Sequence, residues 1–506
     1  MKKIALFLLL IPVSISAVSA QSLSTKEIKQ AARQSLDHSL VQYRQFLSIP
    51  NIGSFPEQRQ ANVDWCVQKF NQLGFDTQIL TSKGIPHVLA TWEINPAYET
   101  LLFYLQIDGQ PVDSSEWHQP HPFQPVLKKK IKEEWQIVDW SILADGFDPN
   151  LRVFARSASD SKGPAMTFIT ALQILKEKGI QPKFNIKVIM DFQEELGSPT
   201  LSPLVESKRD LFQAKMMLIM DGTRHLSNLP TLTFGARGIA TVQLRAFGAL
   251  RNLHSGQYGN FAPNPVFHLA RVLGQLKEEN GRVLIPHFYD GVALSNSEKA
   301  LINNVPEDLA TIKKSLGIAT IDSVGTTYQE ALQYPSLNIR GLKAAWVEEK
   351  VRTLLPNEAI AEIDMRLVPE TPGERQVQLL QDFLKSKGFH LIDSLPTLAE
   401  RLTYPKLMQF TYKIGSKPFR TDMQSPIGDW LSKAMDYVFG DQHIKMRTTG
   451  GSQPIAPFIN TLGLPAVSVR IPNPDNSIHA PNENLRLGNY LEGIETCLSI
   501  LVQEMD

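Results

Sequence analysis

Four apolar, strand-like runs of this sequence each lead into side chains that could bind a metal ion. Ligand sites of parallel sheets lie at the carboxyl ends of the strands, so these side chains are expected to converge on one sheet edge. A fifth candidate, Asp160, lies in the small-residue loop SASDSKGP just before a predicted helix. The chain has only two cysteines, so oxygen and imidazole groups must hold any metal. The candidates that follow the strand-like runs are Gln106, Asp108, Glu194, Glu195, Asp221 and His479.

The segments that must position these residues alternate between strand and helix patterns. This alternation predicts an α/β domain with a mostly parallel sheet covered on both faces. The segment 124–150, with its run of three lysines from Lys128, is expected to be a surface insertion with solvated charges. The predicted helices here are 25–47, 57–73 and 164–178, and the predicted strands are 77–80, 88–92, 100–105, 184–192 and 215–220.

The pattern changes in the middle of the chain and later returns. Strands with half-exposed alternation are predicted at 239–247 and 359–368, next to helices at 265–278 and 376–387, which indicates an α+β unit with an antiparallel sheet. The first pattern resumes with predicted helices at 426–439 and 488–502 and a strand at 465–469. The predicted organisation is a signal peptide (1–20), a catalytic domain in two parts (21–233 and 417–506) and an inserted domain (234–416).

The N-terminus has the pattern of a secretory signal peptide. Lys2 and Lys3 precede an apolar stretch that closes with Val-Ser-Ala before Gln21. The stretch is shorter than the roughly 20 residues that span a membrane, and an uncleaved anchor is the alternative. We predict cleavage after Ala20 and a secreted or periplasmic protein that is free of the membrane. The formal net charge of zero gives no reason to expect nucleic acid as a partner.

The two cysteines, Cys66 and Cys497, lie in helical patterns near opposite ends of the chain. Two cysteines are too few for the disulfide framework of a small secreted protein. One bridge between the ends of the chain and two buried free thiols are both compatible with the sequence.

Ordered motifs along nearly the whole mature chain resemble those of one family. It is the family of co-catalytic zinc peptidases and amidases that includes carnosine dipeptidases, aminoacylases, acetylornithine deacetylase, succinyl-diaminopimelate desuccinylase and carboxypeptidase G. The resemblance is closest to the dipeptidase branch. It implies a phosphorylase/hydrolase-like catalytic domain interrupted by a ferredoxin-like α+β domain that serves as lid and dimer interface. The motifs are IDGQPV, ARSASDSKGP, QEELGSP, MDGT, LHSGQYGNFAPNP, RTLLP, IDMRLVP, GGSQP and IHAPNENLRL.

The resemblance implies a role for each candidate ligand. Asp160 resembles a carboxylate that bridges two metal ions. Glu195 and His479 resemble the other ligands of one ion, and Asp221 resembles a ligand of the second. Glu194 resembles the general base. A metal pair lowers the pKa of a bridging water and polarises a carbonyl, and a neighbouring carboxylate can pass the water's proton to the leaving amine.

The resemblance also implies substrate contacts. His254 resembles a histidine that reaches the active site of the partner subunit and stabilises the oxyanion, which implies a homodimer formed through the inserted domain. Asn264 and Arg366 resemble residues that hold the reacting region and the terminal carboxylate of the substrate. Gly451 and Ser452, in GGSQP, resemble a loop that contacts the same end.

One motif departs from the family pattern His-x-Asp, because Gln106 stands at the position of the histidine. In relatives that histidine binds the ion shared with Asp221, and the residue matching Asp108 orients its ring. An amide oxygen is a poorer zinc ligand than imidazole. We therefore expect one tight Zn²⁺ at the histidine-containing ligand set, and a second site that is weak or prefers Mn²⁺ or Co²⁺.

These observations predict an exported metallopeptidase or amidohydrolase that cleaves the amide bond of a dipeptide or an N-acyl amino acid. Glu194 would act as general base on a metal-activated water. The alternative is a catalytically impaired family member that binds a peptide or acyl amino acid, because Gln106 replaces a ligand. The presence of the base and of the other ligands favours the enzyme.

Overall fold

The computed structural model describes residues 23–505, so the predicted signal peptide and its cleavage site lie outside the described residues. The first part of the chain alternates helices and strands as its pattern predicts. Its elements are α1 (Thr25–Leu47), α2 (Pro56–Leu73), β1 (Asp76–Ser82), β2 (Ile85–Trp92), β3 (Thr100–Gln106), β4 (Val126–Ile131), β5 (Glu134–Val138), β6 (Arg152–Phe154), α3 (Lys162–Lys178), β7 (Asn185–Asp191), α4 (Leu201–Ser207), β8 (Met216–Ile219) and β9 (Thr231–Thr233).

The middle of the chain forms a second group of elements, and the end of the chain returns to the first group. The middle elements are β10 (Gly235–Ala236), β11 (Gly238–Phe247), β12 (Leu253–His254), α5 (Ser255–Tyr258), α6 (Pro265–Leu273), α7 (Asn296–Asn303), α8 (Leu309–Leu316), α9 (Tyr328–Ala331), β13 (Ser336–Lys343), β14 (Leu354–Leu355), β15 (Glu358–Leu367), α10 (Gly373–Ser386), β16 (His390–Ile392), α11 (Leu398–Thr403) and β17 (Leu407–Ile414). The final elements are β18 (Phe419–Arg420), α12 (Pro426–Phe439), β19 (Ile444–Met446), α13 (Ala456–Leu462), β20 (Ala466–Arg470), β21 (Asn484–Arg486) and α14 (Leu487–Val502).

Eight strands of the described chain form the central sheet, in the order β1-β2-β7-β3-β8-β20-β9-β19. The four strands β7, β3, β8 and β20 run parallel, while antiparallel pairs flank them. Strand β3 is buried on both faces: Leu101 and Phe103 pack into one hydrophobic cluster and Leu102 and Tyr104 into another. Burial on both faces explains why this strand is a continuous apolar run rather than an alternating one.

The inserted domain is built on a second sheet, in the order β13-β15-β11-β17-β16. Strands β13, β15, β11 and β17 are antiparallel neighbours. Along β11, buried and half-exposed residues alternate, because helices α6 and α10 cover one face. The strand–helix–strand–strand–helix–strand sequence with this strand order is ferredoxin-like. The predicted fold class, a mostly parallel sheet interrupted by an α+β unit, is confirmed.

A short antiparallel ribbon lies where the chain enters and leaves the inserted domain. It pairs Gly235 with Arg420 and Ala236 with Phe419, in strands β10 and β18. The five strands of the second sheet all lie between these two crossings. The predicted domain limits, 234 and 416, lie close to this ribbon in the sequence. They remain predictions.

The segment 124–150 differs from its expectation as a solvated insertion. Strands β4 and β5 join β6 and β21 in a separate sheet. Lys128, the first residue of the lysine run, is buried. Its ammonium group donates to the carbonyl of His118 at 2.9 Å and lies 4.3 Å from the ring centre of Phe154, and these contacts compensate for the lost water. A buried lysine with a carbonyl acceptor and an aromatic neighbour is not recognisable from a charge run alone.

Cys66 and Cys497 are buried free thiols, and burial raises the pKa of each to about 12. Of the two alternatives left by the sequence, the structure therefore has the unbridged one. Within the described residues, no helix combines the length and the apolar character needed to cross a membrane.

Candidate metal centre

Strand ends and two loops bring the candidate ligands together. Glu194 and Glu195 begin a short 3₁₀ turn that follows β7 after Phe192 and Gln193, and Asp221 follows β8. Asp160 lies just before α3, and the peptide bond that joins it to Ser161 is cis. His479 lies in the loop between β20 and β21 with a positive φ of 59°. The parallel strands thus deliver their carboxylates to one edge, as the position of strand ends requires.

Three side chains form a cluster with the geometry of a metal site. One ligand atom each from Asp160, Glu195 and His479 lie within 4.8 Å of one another. His479 Nε2 lies 2.9 Å from Asp160 Oδ2 and 3.3 Å from Glu195 Oε2. The two carboxylates are almost fully buried, while the imidazole is half-exposed. Two oxygens and one nitrogen with an open side fit a catalytic Zn²⁺.

The buried carboxylates of the cluster favour a positively charged neighbour. Burial raises the pKa of Asp160 to about 7, and the hydrogen bond from His479 opposes that rise. Hydrogen bonds to Asp160 and Glu195 raise the pKa of His479 to about 10. Buried carboxylates that crowd one another are costly without a cation, and a divalent ion inverts this cost.

Glu194 lies beside the cluster rather than in it. Burial raises its pKa well above the usual range, and the charges of Asp221, Asp160, Glu195 and Asp108 add to the effect. A carboxylate with a raised pKa, next to metal ligands, has the properties of a general base.

Asp108 fixes the turn that carries the base. Its Oδ1 accepts the backbone N–H of Glu194 at 2.9 Å, and its Oδ2 accepts that of Glu195 at 3.2 Å. Burial raises the pKa of Asp108 well above its usual range, and the nearby charge of Asp191 adds to this. Asp108 therefore positions the two glutamates through their backbone, a contact that the sequence does not reveal.

Gln106, the residue that replaces histidine, is buried at the end of β3. Its Nε2 donates to Glu195 Oε1 at 3.1 Å. The NH₂ group of the amide must face Glu195, because the amide oxygen would repel a carboxylate oxygen at this distance. Gln110, to which the sequence assigns no role, donates to the other oxygen of Glu195 at 2.6 Å. Two amides thus hold one metal-ligand carboxylate.

Asp221 is held by neutral groups. Ser161 Oγ donates to its Oδ1 at 2.5 Å, and Gln453 Nε2 donates to its Oδ2 at 3.4 Å. The second predicted ligand set therefore consists of Gln106, Asp160 and Asp221, with an amide turned towards Glu195 and an aspartate engaged on both oxygens. It fits a second Zn²⁺ poorly.

A buried carboxylate, Glu483, supports Asp160 from behind. It accepts the backbone N–H groups of Ser157, Ser159 and Asp160 at 2.7–2.9 Å, and it pairs with Arg156 at 2.8 Å. Glu483 lies in the motif IHAPNENLRL. The motif alone does not show whether this glutamate is a surface charge or a buried carboxylate that accepts backbone N–H groups.

The structure joins two predicted substrate residues from different domains. Arg366 in β15 donates to Ser452 Oγ at 3.1 Å, next to the exposed Gly451. Arg237, which no sequence pattern marks as a site residue, donates through Nε to the carbonyl of Gly450 at 3.3 Å. Burial lowers the pKa of Arg237 to about 10, and the nearby charge of Arg366 contributes to the decrease. Two guanidinium groups at one loop could bind an anion.

His254 and Asn264 make local contacts in the inserted domain. His254 is exposed, and its Nδ1 accepts the backbone N–H of Gly256 at 3.1 Å. Asn264 caps α6 by accepting the backbone N–H of Val266 at 2.9 Å. Among the described residues, no hydrogen bond or ion pair joins either side chain to the metal cluster, so their predicted roles remain predictions.

Comparison with known proteins places the chain among metal-dependent peptidases. It is 25% identical over 492 residues to the Cys-Gly metallodipeptidase dug1 of Schizosaccharomyces pombe, covering 94% of this chain and 97% of that protein. It is 26% identical over 417 residues to the Beta-Ala-His dipeptidase of Homo sapiens, covering 81% of this chain and 75% of that protein. These relatives confirm the predicted resemblance to the dipeptidase branch.

Solved structures agree with the fold. An M20 family metallo-carboxypeptidase from Sulfolobus solfataricus superposes with a TM-score of 0.76 at 26% identity, covering 92% of this chain and 98% of that one. The sequence model of peptidase family M20/M25/M40 matches residues 102–503 of this chain. This span contains every candidate ligand. The predicted enzyme class, a metallopeptidase, is confirmed by this match. The chain belongs to peptidase family M20/M25/M40.

Proposed function

We propose that this protein is an exported, metal-dependent hydrolase that cleaves the amide bond of a dipeptide or an N-acyl amino acid. The observation that carries the proposal is the cluster of Asp160, Glu195 and His479 with the partly buried Glu194 beside it. Similarity along most of the chain to proteins named as dipeptidases supports the same reaction class.

The residues of the centre divide the work of hydrolysis. A Zn²⁺ ion bound by Asp160, Glu195 and His479 would supply an activated water and a polarised substrate carbonyl. Glu194 accepts the proton of the attacking water and transfers it to the nitrogen of the leaving amine, so that the amide bond breaks without a free anion. Asp108 keeps the Glu194 carboxylate in place through the backbone of the turn.

The pair of arginines indicates which end of the substrate is recognised. Arg366 and Arg237 lie at the GGSQP loop, where a carboxylate could accept hydrogen bonds from both guanidinium groups. Both a dipeptide and an N-acyl amino acid have a free carboxylate on the amino acid that leaves. A dipeptide is the first choice because the similar proteins are named as dipeptidases.

The cofactor of the proposal is one tightly bound Zn²⁺. The histidine-containing set fits this ion, whereas a second ion would meet only Gln106, Asp160 and Asp221. Any second ion is expected to be weakly bound and to be Mn²⁺ or Co²⁺ rather than Zn²⁺.

The partner of the proposal is a second copy of the chain. Strand β13 forms an edge of the inserted sheet, and exposed apolar side chains continue from it into the following loop. Such side chains are usual at subunit interfaces. Sedimentation of the purified protein tests this homodimer. The exposed residues are Ile339, Leu342, Trp346, Val347 and Val351.

The predicted export rests on the sequence of residues 1–20. Expression of the full chain in a bacterial host, followed by N-terminal sequencing of the product from the periplasm or medium, tests it. The expected first residue is Gln21. A product that remains in the cytoplasm with Met1 in place contradicts it.

A cleavage screen tests the function itself. Dipeptides, N-acyl amino acids and their amidated counterparts are incubated with protein loaded with Zn²⁺, Mn²⁺ or Co²⁺, and released amine is measured. We expect turnover of a substrate with a free carboxylate. The alternative, an impaired member that only binds its ligand, is supported if no metal gives turnover and Gln106→His restores it.

A further inference from the structure

A buried arginine lies next to the Asp221 side of the centre. Arg470 is the last residue of β20, the strand that pairs with β8, and only 7% of it is exposed. Its guanidinium group lies over Gly222: a Cβ atom at that position would be 1.4 Å from Arg470 Nη1. Gly222 also has a φ of 88°, so both space and backbone conformation require glycine.

The guanidinium group of Arg470 is not satisfied by the protein around it. Its Nε and Nη2 have no hydrogen-bond partner among the described residues. Burial lowers the pKa of Arg470, and the negative charge of Asp221 opposes that decrease. A buried cation normally persists only with a compensating charge, and Asp221, the residue before Gly222, is the acidic group whose charge acts on Arg470.

The groups around Asp221 lack what a second divalent ion needs. Gln106 brings no imidazole, and its NH₂ group is directed at Glu195. The oxygens of Asp221 accept hydrogen bonds from Ser161 and Gln453. A fixed positive charge beside this carboxylate would repel a metal ion there.

We propose that Arg470 takes the place of a second metal ion, so that the centre works with one bound ion and one built-in guanidinium cation. The inference rests on the proposed function, because it concerns the charge balance of the same site. The guanidinium offsets the charge of Asp221, which is one of the carboxylates that act on Glu194. It is a positioning residue, since it acts through Asp221 and its field rather than on the substrate.

Metal counting on four proteins tests the proposal. The wild type, Gln106→His, Arg470→Met and the double variant are loaded with excess Zn²⁺, passed through a desalting column and analysed for metal per chain by mass spectrometry. We expect one ion per chain for the wild type and for Gln106→His, because Arg470 still opposes the second ion. The double variant should bind two, since it regains an imidazole and loses the cation.

Three results overturn the proposal: two ions in the wild type, two ions in Gln106→His alone, or one ion in a folded double variant. Circular dichroism establishes that each variant is folded. If Arg470→Met does not fold, Arg470→Gln replaces it, because its amide retains polar atoms for the buried position.

The same samples separate this inference from the proposed function. A wild type that binds no ion would remove the basis of the hydrolase proposal. A wild type that binds two ions and cleaves substrate would leave the hydrolase proposal intact and disprove the role of Arg470.

Discussion

Glu194 is the side chain on which the proposed chemistry depends most directly. Replacing it by glutamine keeps the shape of the side chain and removes its ability to accept a proton. We expect turnover to fall by about 10³-fold, within the range of lost general-base catalysis, while bound metal stays the same. Steady-state kinetics and metal analysis of Glu194→Gln measure both quantities.

The control for this variant is Glu206→Gln, which alters an exposed glutamate in α4. It should leave turnover and metal content unchanged. If Glu194→Gln loses metal together with activity, Glu194 is a ligand and not the base.

Glu483 supports the proposed ligand Asp160 without belonging to the proposed ligand set. Replacing it by glutamine removes the charge that accepts three backbone N–H groups around Asp160 and leaves Arg156 unpaired. We expect Zn²⁺ affinity to fall roughly 10- to 100-fold, as for other supports of metal ligands. Stability should fall by about 3 kcal/mol, as when one partner of a buried ion pair is removed.

Glu492→Gln is the matched control, because Glu492 also pairs with a buried arginine, Arg224, outside the metal ligands. Competition with a chelating dye measures the Zn²⁺ affinity of both variants, and urea unfolding measures their stability. Equal affinities for the two variants would show that Glu483 does not support Asp160.

At the scale of elements, helix α14 carries a buried glutamate that makes stability depend on pH. Burial raises the pKa of Glu495 to about 7 from its usual 4.5. The folded state therefore binds this proton more tightly than the unfolded state. The stabilising contribution of protonated Glu495 is complete below pH 4.5 and is lost as the pH rises through 7, by about 3 kcal/mol in total.

Glu495→Gln removes this titration, so its stability relative to the wild type should be higher at pH 8 than at pH 5. Urea unfolding at both values measures the difference. Glu57→Gln, in the exposed first turn of α2, provides the control and should show no such change. A variant whose relative stability is the same at both pH values contradicts the prediction.

The sequence was most informative about elements whose burial follows a regular pattern. Helices α1 and α2 and strand β3 were predicted to within a residue at most of their ends, because continuous or periodic apolar patterns mark them. The candidate ligands at the strand ends could be predicted as well, because they lie just after strands that the same patterns mark. The contact of Gly222 with Arg470 and the backbone contacts of Asp108 could not be predicted, since each joins residues that only the tertiary fold brings together.

At the scale of the whole molecule, the proposed carboxylate site lies between the two domains. Arg366 belongs to the inserted domain and Ser452 to the catalytic domain, so a substrate carboxylate bound at this point would be held between them. Arg366→Met should raise KM for a substrate with a free carboxylate roughly 10- to 100-fold, the cost of a lost charged hydrogen bond. It should change KM for the matching C-terminal amide much less.

Arg340→Met is the control, because Arg340 is an exposed arginine of the same sheet, in β13. Steady-state kinetics with the paired acid and amide substrates measure all four combinations. An equal increase in KM for the acid and the amide would show that Arg366 does not bind the carboxylate.

The ribbon of β10 and β18 has a consequence for how the chain is connected. In polymer terms the inserted domain is a closed loop of about 180 residues whose ends are held side by side. The entropy of closing such a loop grows only with the logarithm of its length, so doubling it would cost about 0.6 kcal/mol more. A further increase in the length of the insertion would therefore add little to the cost of bringing β20 and β19 from beyond it into the central sheet.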